Sequence, residues 1–239
     1  MRSTFLLGCQ RSGTTALLDA FALSPHVRAF GEGAPEVMHE FRLRDPHLVL
    51  DALSRTLLHP VLKPICESHQ VDRILAILPE AKVVWIHRDV GDVVASMLRK
   101  WPGHMLEVAT KLRQRDLVWL DWRAEGLTAP QWQRLDGLLR PDLTEAEAGA
   151  IFWYLRNQWF FAHDLANHPR VLLVKYEELA REPATVLERL FAFAGLPFTP
   201  AVAANYNAES IGKGGRPPLA PAIQRACDDL ADQLGACAT

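Results

Sequence analysis

Four residues separate Gly8 from Gly13 in the stretch LLGCQRSGTTALL, and Thr14 and Thr15 follow directly. This is nearly the spacing of a phosphate-cradling loop, G-x-x-x-x-G-K-[ST], whose lysine reaches the β- and γ-phosphates of a nucleotide. Here Thr14 occupies the lysine position, and the nearest cation is Arg11, inside the loop. Backbone N–H groups at a helix N-terminus bind anions through oriented donors and the helix dipole. Ser12, Thr14 and Thr15 add hydroxyl donors, and the two glycines allow the tight turn. No acidic residue ending a strand stands out as a metal ligand. The loop therefore suits a phosphate ligand whose terminal group carries less charge than a metal-bound triphosphate.

Such a loop needs a strand before it and a helix after it. STFLLG is a short apolar run and reads as a buried strand; TTALLDAFALS has helical spacing and stops before Pro25. VRAF is a short extended piece leading to Gly31-Glu32-Gly33. Residues 35–58 read as helical with polar interruptions, and PVLK as a strand end. ESHQVDRILAILP reads as an amphipathic helix with Val71, Ile74, Leu75 and Leu78 on one face. KVVWIH is a second buried strand, after which Asp89 caps a helix carrying VVASMLRKW. The Trp-rich stretch 104–168 reads as mostly helical, with Thr144 and Glu147 forming a capping box. RVLLVKY is a third strand, and PATVLERLFAFAGL a helix with Pro183 in its first turn and Gly195 at its end. A basic turn, IGKGGRPP, precedes a final helix near 219–234.

Strands alternating with helices imply a parallel sheet covered on both faces. The expected fold is a single α/β domain over 1–239, a three-layer sandwich of P-loop NTPase-like type with a helical insertion at about 100–168. The chain has 239 residues, a hydrophobic fraction of 49% and a net charge of −2. That balance argues against broad attraction to nucleic acid or anionic membrane, so an anion site must be built locally. Cys9, Cys66, Cys227 and Cys237 lie far apart, without metal-ligand or disulfide spacing, and read as reduced thiols. The longest apolar stretch, AIFWYLRNQWFFAH, is interrupted by Arg156 and Asn157 and does not read as a membrane span. The N-terminus runs almost directly into the first strand, so the expected location is cytoplasmic.

GCQRSGTTALL resembles the 5′-phosphosulfate loop of sulfotransferases that use 3′-phosphoadenosine 5′-phosphosulfate (PAPS), in which a cation precedes S-G-T-T as Arg11 does here. WIHRDVGDVVASMLRK is similar to the family's 3′-phosphate segment, and the resemblance assigns that role to Arg88 and Ser96. LKP at 62–64 resembles the lysine segment of bacterial and tyrosylprotein-type members, pointing to Lys63. VLLVKYEELAREPATVLERLFAFAGLPF resembles the Y-E-x-L segment and its helix, placing Tyr176 near the adenine or the reaction centre. The four segments keep the family's order over residues 5 to 198. The tail NAESIGKGGRP resembles a loop that closes over the donor, implying contacts from Ser210 and Lys213.

The resemblance implies sulfuryl transfer from PAPS to a hydroxyl or amine, with 3′,5′-bisphosphoadenosine (PAP) as product and no metal. Charge grows on the leaving phosphate, so cations belong there, and Arg11 and Lys63 are the candidates. A base must take the acceptor's proton. Glu32 is the first choice, between two glycines and 21 residues beyond Arg11, the separation of the tyrosylprotein-type branch; His39 and His59 compete. Arg88 also stands i,i+4 from Asp92 and so could form a structural ion pair. The acceptor is expected to be a small molecule or carbohydrate. Trp101, Trp119, Trp122, Trp132, Trp153 and Trp159 could wall its site, but tryptophans at helical spacing are usually core. KLRQRD reads more readily as a solvated helix face than as a site for an acidic acceptor. The rival functions are a P-loop kinase, disfavoured by Thr14, and a non-catalytic nucleotide-binding protein.

Overall fold

A computed structural model describes residues 2–204, 206 and 208–238. Asn207, the first residue of the tail segment, lies outside the described residues.

The strands in chain order are β1 Thr4–Gly8, β2 Val27–Phe30, β3 Met38–His39, β4 Arg42–Leu43, β5 His59–Leu62, β6 Lys82–His87 and β7 Val171–Lys175. Five of them form one sheet in the order β2-β5-β1-β6-β7, with every neighbouring pair parallel. The apolar runs explain the centre: β1 is buried at every position, and β6 at all but Lys82. Strands buried on both faces tolerate no polar alternation.

Helices cover both faces. They are α1 Thr14–Ala22, α2 Pro46–Ser54, α3 Val71–Ile77, α4 Val90–Lys100, α5 His104–Gln114, α6 Leu117–Leu120, α7 Ala129–Asp136, α8 Glu145–Asn157, α9 Trp159–Ala162, α10 Tyr176–Arg181, α11 Pro183–Ala194 and α12 Pro221–Cys237. On one face Leu17 and Phe21 of α1 and Leu190 and Phe191 of α11 pack on Leu6, Val84 and Val174; the Phe21 and Phe191 rings stack at 4.7 Å. On the other face Phe5, Leu7 and Trp85 meet α4, α5, α8 and α12. Leu6 faces one core and its neighbours Phe5 and Leu7 the other, the two-residue period of a strand. The result is a three-layer α/β sandwich.

Local signals behave as expected at several ends. The Asp89 carboxylate accepts from the Asp92 N–H at 3.0 Å. The Thr144 hydroxyl accepts from the Glu147 N–H at 3.2 Å, while the Glu147 carboxylate accepts from the Thr144 N–H at 2.8 Å. Gly195 ends α11 at φ 78°. The final helix runs three residues beyond the expected 234.

Two stretches differ. Residues 35–58 are not one helical region: the β3–β4 hairpin comes first, and α2 begins only where Pro46 takes the first turn. Arg42 explains the hairpin, because its guanidinium donates to Glu67 at 2.7 Å, Asp121 at 2.9 Å and Glu125 at 2.5 Å. These partners are distant in sequence and outweigh a weak local helical pattern. Likewise Ile65–Gln70 winds as a 3-10 turn before α3. There the buried Ser68 hydroxyl accepts from the Gly8 N–H at 3.1 Å and reaches the Ile65 carbonyl at 3.0 Å. The apolar face of Val71, Ile74 and Leu75 is buried as expected. The four cysteines are free thiols. Among the described residues no helix is long and apolar enough to cross a membrane.

Candidate functional site

The carboxyl ends of all five parallel strands deliver candidate residues to one edge of the sheet. Glu32 lies two residues beyond β2, Lys63 directly beyond β5, the glycine loop beyond β1, Arg88 beyond β6 and Tyr176 beyond β7. Ligands of open α/β sheets bind in the crevice outside these ends, where the strand order reverses; here that is β1, between β5 and β6.

The loop between β1 and α1 is tight. Arg11 has φ 70° and Gly13 φ 97°. A Cβ at Gly13 would sit 2.3 Å from Cδ2 of Tyr176, so only glycine lets the tyrosine ring lie against the loop. Ser12 is fully buried, and its hydroxyl has no partner among the described residues. The N–H groups of the first turn of α1 precede any acceptor within the helix. Buried orphan donors at a helix N-terminus form a cradle for an anion.

Lys63 joins the loop to Glu32. Its Nζ donates to Thr15 Oγ1 at 2.9 Å and to Glu32 Oε2 at 3.0 Å. The lysine side chain is 7% exposed and the glutamate 29%, so the pair is sheltered with its carboxylate partly open. Both residues line a cavity of about 490 Å³ together with Gln10, Arg11, Thr14 and Thr15. The competing histidines lie elsewhere. His59 sits at the amino end of β5, bonded to Thr4 Oγ1 at 2.9 Å. Burial, with Lys82 and Arg2 nearby, pulls it down to about 4. His39 lines a different cavity, beside Arg42 and Arg73. His104, which sequence reasoning missed, does line the Glu32 cavity.

Arg88 organises the opposite flank. Its Nη2 donates to the Ser210 carbonyl at 2.6 Å and lies 3.2 Å from Asp92, and its guanidinium carbon stands 4.3 Å from the Tyr176 ring centre. Its Nε is buried without a partner among the described residues. The i,i+4 pair with Asp92 thus forms, yet a donor remains unused. Asp92 accepts from the Gly212 and Gly214 N–H groups at 2.8 Å each, pinning the tail loop to α4. A Cβ at Gly214 would sit 2.4 Å from the Gly91 carbonyl oxygen, so the backbones meet only through glycine. Burial opposes ionisation of Asp92, but the Gly214 and Gly212 N–H groups and Arg88 hold its carboxyl below the ordinary value. Tyr176 Oη and Ser210 Oγ are 2.7 Å apart.

Ser96 is not bonded to Arg88. It accepts from Arg11 Nε at 3.0 Å, and the Arg11 guanidinium also faces the Trp101 ring at 5.6 Å. Burial, then repulsion from Arg99 and Arg88, pulls Arg11 below its ordinary value. Lys213 is exposed, apart from the cavity. The structure thus gathers Arg11, Ser12, Gly13, Thr14, Thr15, Glu32 and Lys63 around the loop. It gathers Arg88, Tyr176 and Ser210 behind it, with Ser96 reaching the loop through Arg11.

Among the tryptophans, Trp153 and Trp159 are core, while Trp101 and Trp122 line the cavity with Phe41, Met105 and Phe152. The KLRQRD stretch is a surface face: Lys111 pairs with Asp116, and Arg115 with Asp136. Sequence reasoning missed Asp92 as the tail anchor and the cavity residues Phe41, Lys100, His104 and Arg123. The i,i+4 pairing of Asp92 with Arg88 was legible, but its contact with the tail loop was not.

Residues 2–211 match the family described as "Sulfotransferase domain". Carbohydrate sulfotransferase 3 of Mus musculus is 28% identical over 162 residues, which are 66% of this chain and 28% of that protein. The chain therefore spans well under two thirds of that relative's length. Among solved structures, the sulfotransferase domain from the curacin biosynthetic pathway has a TM-score of 0.62 at 16% identity, covering 97% of this chain and 98% of that one. The sulfotransferase domain from the Synechococcus PCC 7002 olefin synthase has a TM-score of 0.59 at 16% identity, with 98% and 94% covered. Mouse SULT7A1, solved in complex with PAP, has a TM-score of 0.53 at 15% identity, with 98% and 85% covered. At such identities the structures speak for a common fold. The family match extends over most of the chain and takes in all five sheet strands, so this chain belongs to the sulfotransferase family.

Proposed function

We propose that this sulfotransferase moves a sulfuryl group from PAPS to a hydroxyl of a small-molecule or carbohydrate acceptor, without a metal. One observation carries the reading: a single ammonium, Lys63 Nζ, binds both the loop helix at Thr15 and the cavity carboxylate Glu32. Phosphate cradle and base candidate therefore meet at one point. The orphan donors at Ser12 Oγ and Arg88 Nε fit a ligand with two separated phosphate groups, the feature of this donor.

When bound, the donor supplies an SO₃ unit on a phosphate leaving group. The loop N–H groups, Ser12, Thr14 and Thr15 hold that 5′-phosphate. Arg11 and Lys63 face the charge that grows on it as the S–O bond breaks. Glu32 accepts the acceptor's hydroxyl proton as the new O–S bond forms. Arg88 and Ser96 belong to the 3′-phosphate, with Tyr176 and Ser210 flanking the nucleotide. Glu32→Gln removes the proton acceptor and keeps the shape. In a radiolabelled-sulfate transfer assay over an acceptor panel, it is expected to lose roughly 10²–10⁴-fold in turnover. PAP binding, read by calorimetry, is expected to stay near wild type. A variant that keeps most of its turnover removes Glu32 from the role.

A further inference from the structure

The cavity beside Glu32 is lined on one side by apolar and aromatic groups, including Trp101, Met105, Trp122 and Phe152. At its rim stands Phe41, which is 62% exposed. Phe41 sits at the tip of the β3–β4 hairpin with φ 67°, a backbone conformation that a bulky residue rarely adopts. The three carboxylates on the next residue, Arg42, hold the hairpin in that state. An exposed aromatic ring held over a cavity at a cost in backbone strain is the arrangement expected of a ligand contact.

The same cavity is strongly cationic. Arg11, Lys63, Lys100 and Arg123 line it against one carboxylate, Glu32, which Lys63 already pairs. Arg11 and Lys63 belong to the loop. Arg123 does not, and it is half-buried with no hydrogen bond or ion pair to any described residue. Instead its guanidinium lies 4.5 Å from the Trp122 ring centre and 5.4 Å from that of Trp119. The carboxylates whose charge acts on it, Asp121 and Glu107, are engaged with Arg42 and His104. Rings that cover the faces of a guanidinium leave its in-plane N–H groups for an oxyanion. A second arginine lies behind the wall. Arg156 is fully buried, stands 5.0 Å from the Trp122 ring centre, and has Nε and Nη1 without partners. Trp122 is therefore in contact with two cations, and their field extends into the cavity.

We propose that the acceptor is an anionic aromatic or otherwise apolar alcohol, its body against Phe41, Trp101 and Trp122 and its carboxylate, sulfate or phosphate group on Arg123. This rests on the sulfotransferase reading of the same site and narrows it to an acceptor class. A protonated amine is disfavoured there by Arg11, Lys100, Arg123 and Arg156 together.

The test uses three probes of one shape: naphthol, hydroxynaphthoate and aminomethylnaphthol. The full chain is first titrated with PAP by calorimetry, and the PAP-loaded protein is then titrated with each probe. Hydroxynaphthoate is expected to bind at least tenfold tighter than naphthol, and aminomethylnaphthol weakest. In Arg123→Gln the gap between hydroxynaphthoate and naphthol is expected to close, and Arg123→Lys to restore part of it. Equal or tighter binding of naphthol, binding of none of the three, or a gap that survives Arg123→Gln would overturn the proposal. Failure of PAP itself to bind wild type would instead count against the donor assignment. If Arg123→Gln loses PAP binding through misfolding, the wild-type ranking and its weakening by salt decide the matter.

Discussion

Lys63 is the residue at which the glycine loop, the Glu32 carboxylate and the cavity converge. It is nearly buried, and its only charged partner among the described residues is Glu32. Lys63→Met is therefore expected to act twice, removing a cation from the growing phosphate charge and leaving Glu32 without its anchor. Turnover should fall by about 10²–10³-fold, the scale of losing one charge-stabilising donor. Single-turnover kinetics check this, and a loss of donor affinity with unchanged turnover would assign Lys63 to binding alone. Gly13→Ala tests the loop more bluntly. A Cβ there collides with Tyr176 on a backbone at φ 97°, so PAP affinity should drop steeply while Tyr176→Ala in the same chain restores part of it. At this scale the sequence was informative, because Glu32, Lys63, Arg88 and Tyr176 each follow a strand whose apolar run can be recognised. Where a side chain bonds was less legible. Ser96 lies eight residues beyond Arg88 but turns to Arg11, across a distance set by the helix–loop packing.

Among the elements, the tail loop is the least expected part. Asp92 is a first-turn residue of α4, yet it holds two N–H groups about 120 residues away. Asp92→Asn is expected to destabilise the protein by about 3 kcal/mol at neutral pH, the scale for breaking a buried charged pair. It should also open the 210–216 segment to proteolysis. The sign with pH follows from the depressed folded-state value of Asp92. Its stabilisation is complete above the unfolded carboxyl value, about 4, and is lost as pH falls through the folded value. Chemical denaturation of the two proteins should thus show a gap at pH 7 that narrows in acid. A gap that widens in acid would refute the assignment. Helix ends could be read from capping chemistry, as at Thr144 and Asp89, since a cap is local. The β3–β4 hairpin could not, because what holds it is an arginine with partners at 67, 121 and 125.

For the whole molecule, the sheet separates two cores, and each should report independently. Phe191→Ala empties the ring that stacks on Phe21 and should cost about 3–5 kcal/mol, read as a fall in denaturation midpoint. The thiols offer a check on packing. Burial pushes Cys9 and Cys227 up to about 12 and Cys66 up to about 11, so the half-buried Cys237 should be labelled first by a thiol reagent in the native state. The three-layer architecture was legible because alternating strands and helices leave few topologies. The cavity beside Glu32 was not, since Phe41, Trp101, Trp122 and Arg123 come from the hairpin and the insertion and meet only in three dimensions. The central claim is that the crevice is built for a nucleotide with both 3′- and 5′-phosphates. Calorimetric titration of the wild-type chain with PAP, 5′-AMP and ATP, with and without magnesium, tests it most directly. PAP is expected to bind at least tenfold tighter than either rival without magnesium, and Arg88→Ala to erase this preference. ATP binding as tightly as PAP, and tighter still with magnesium, would contradict it.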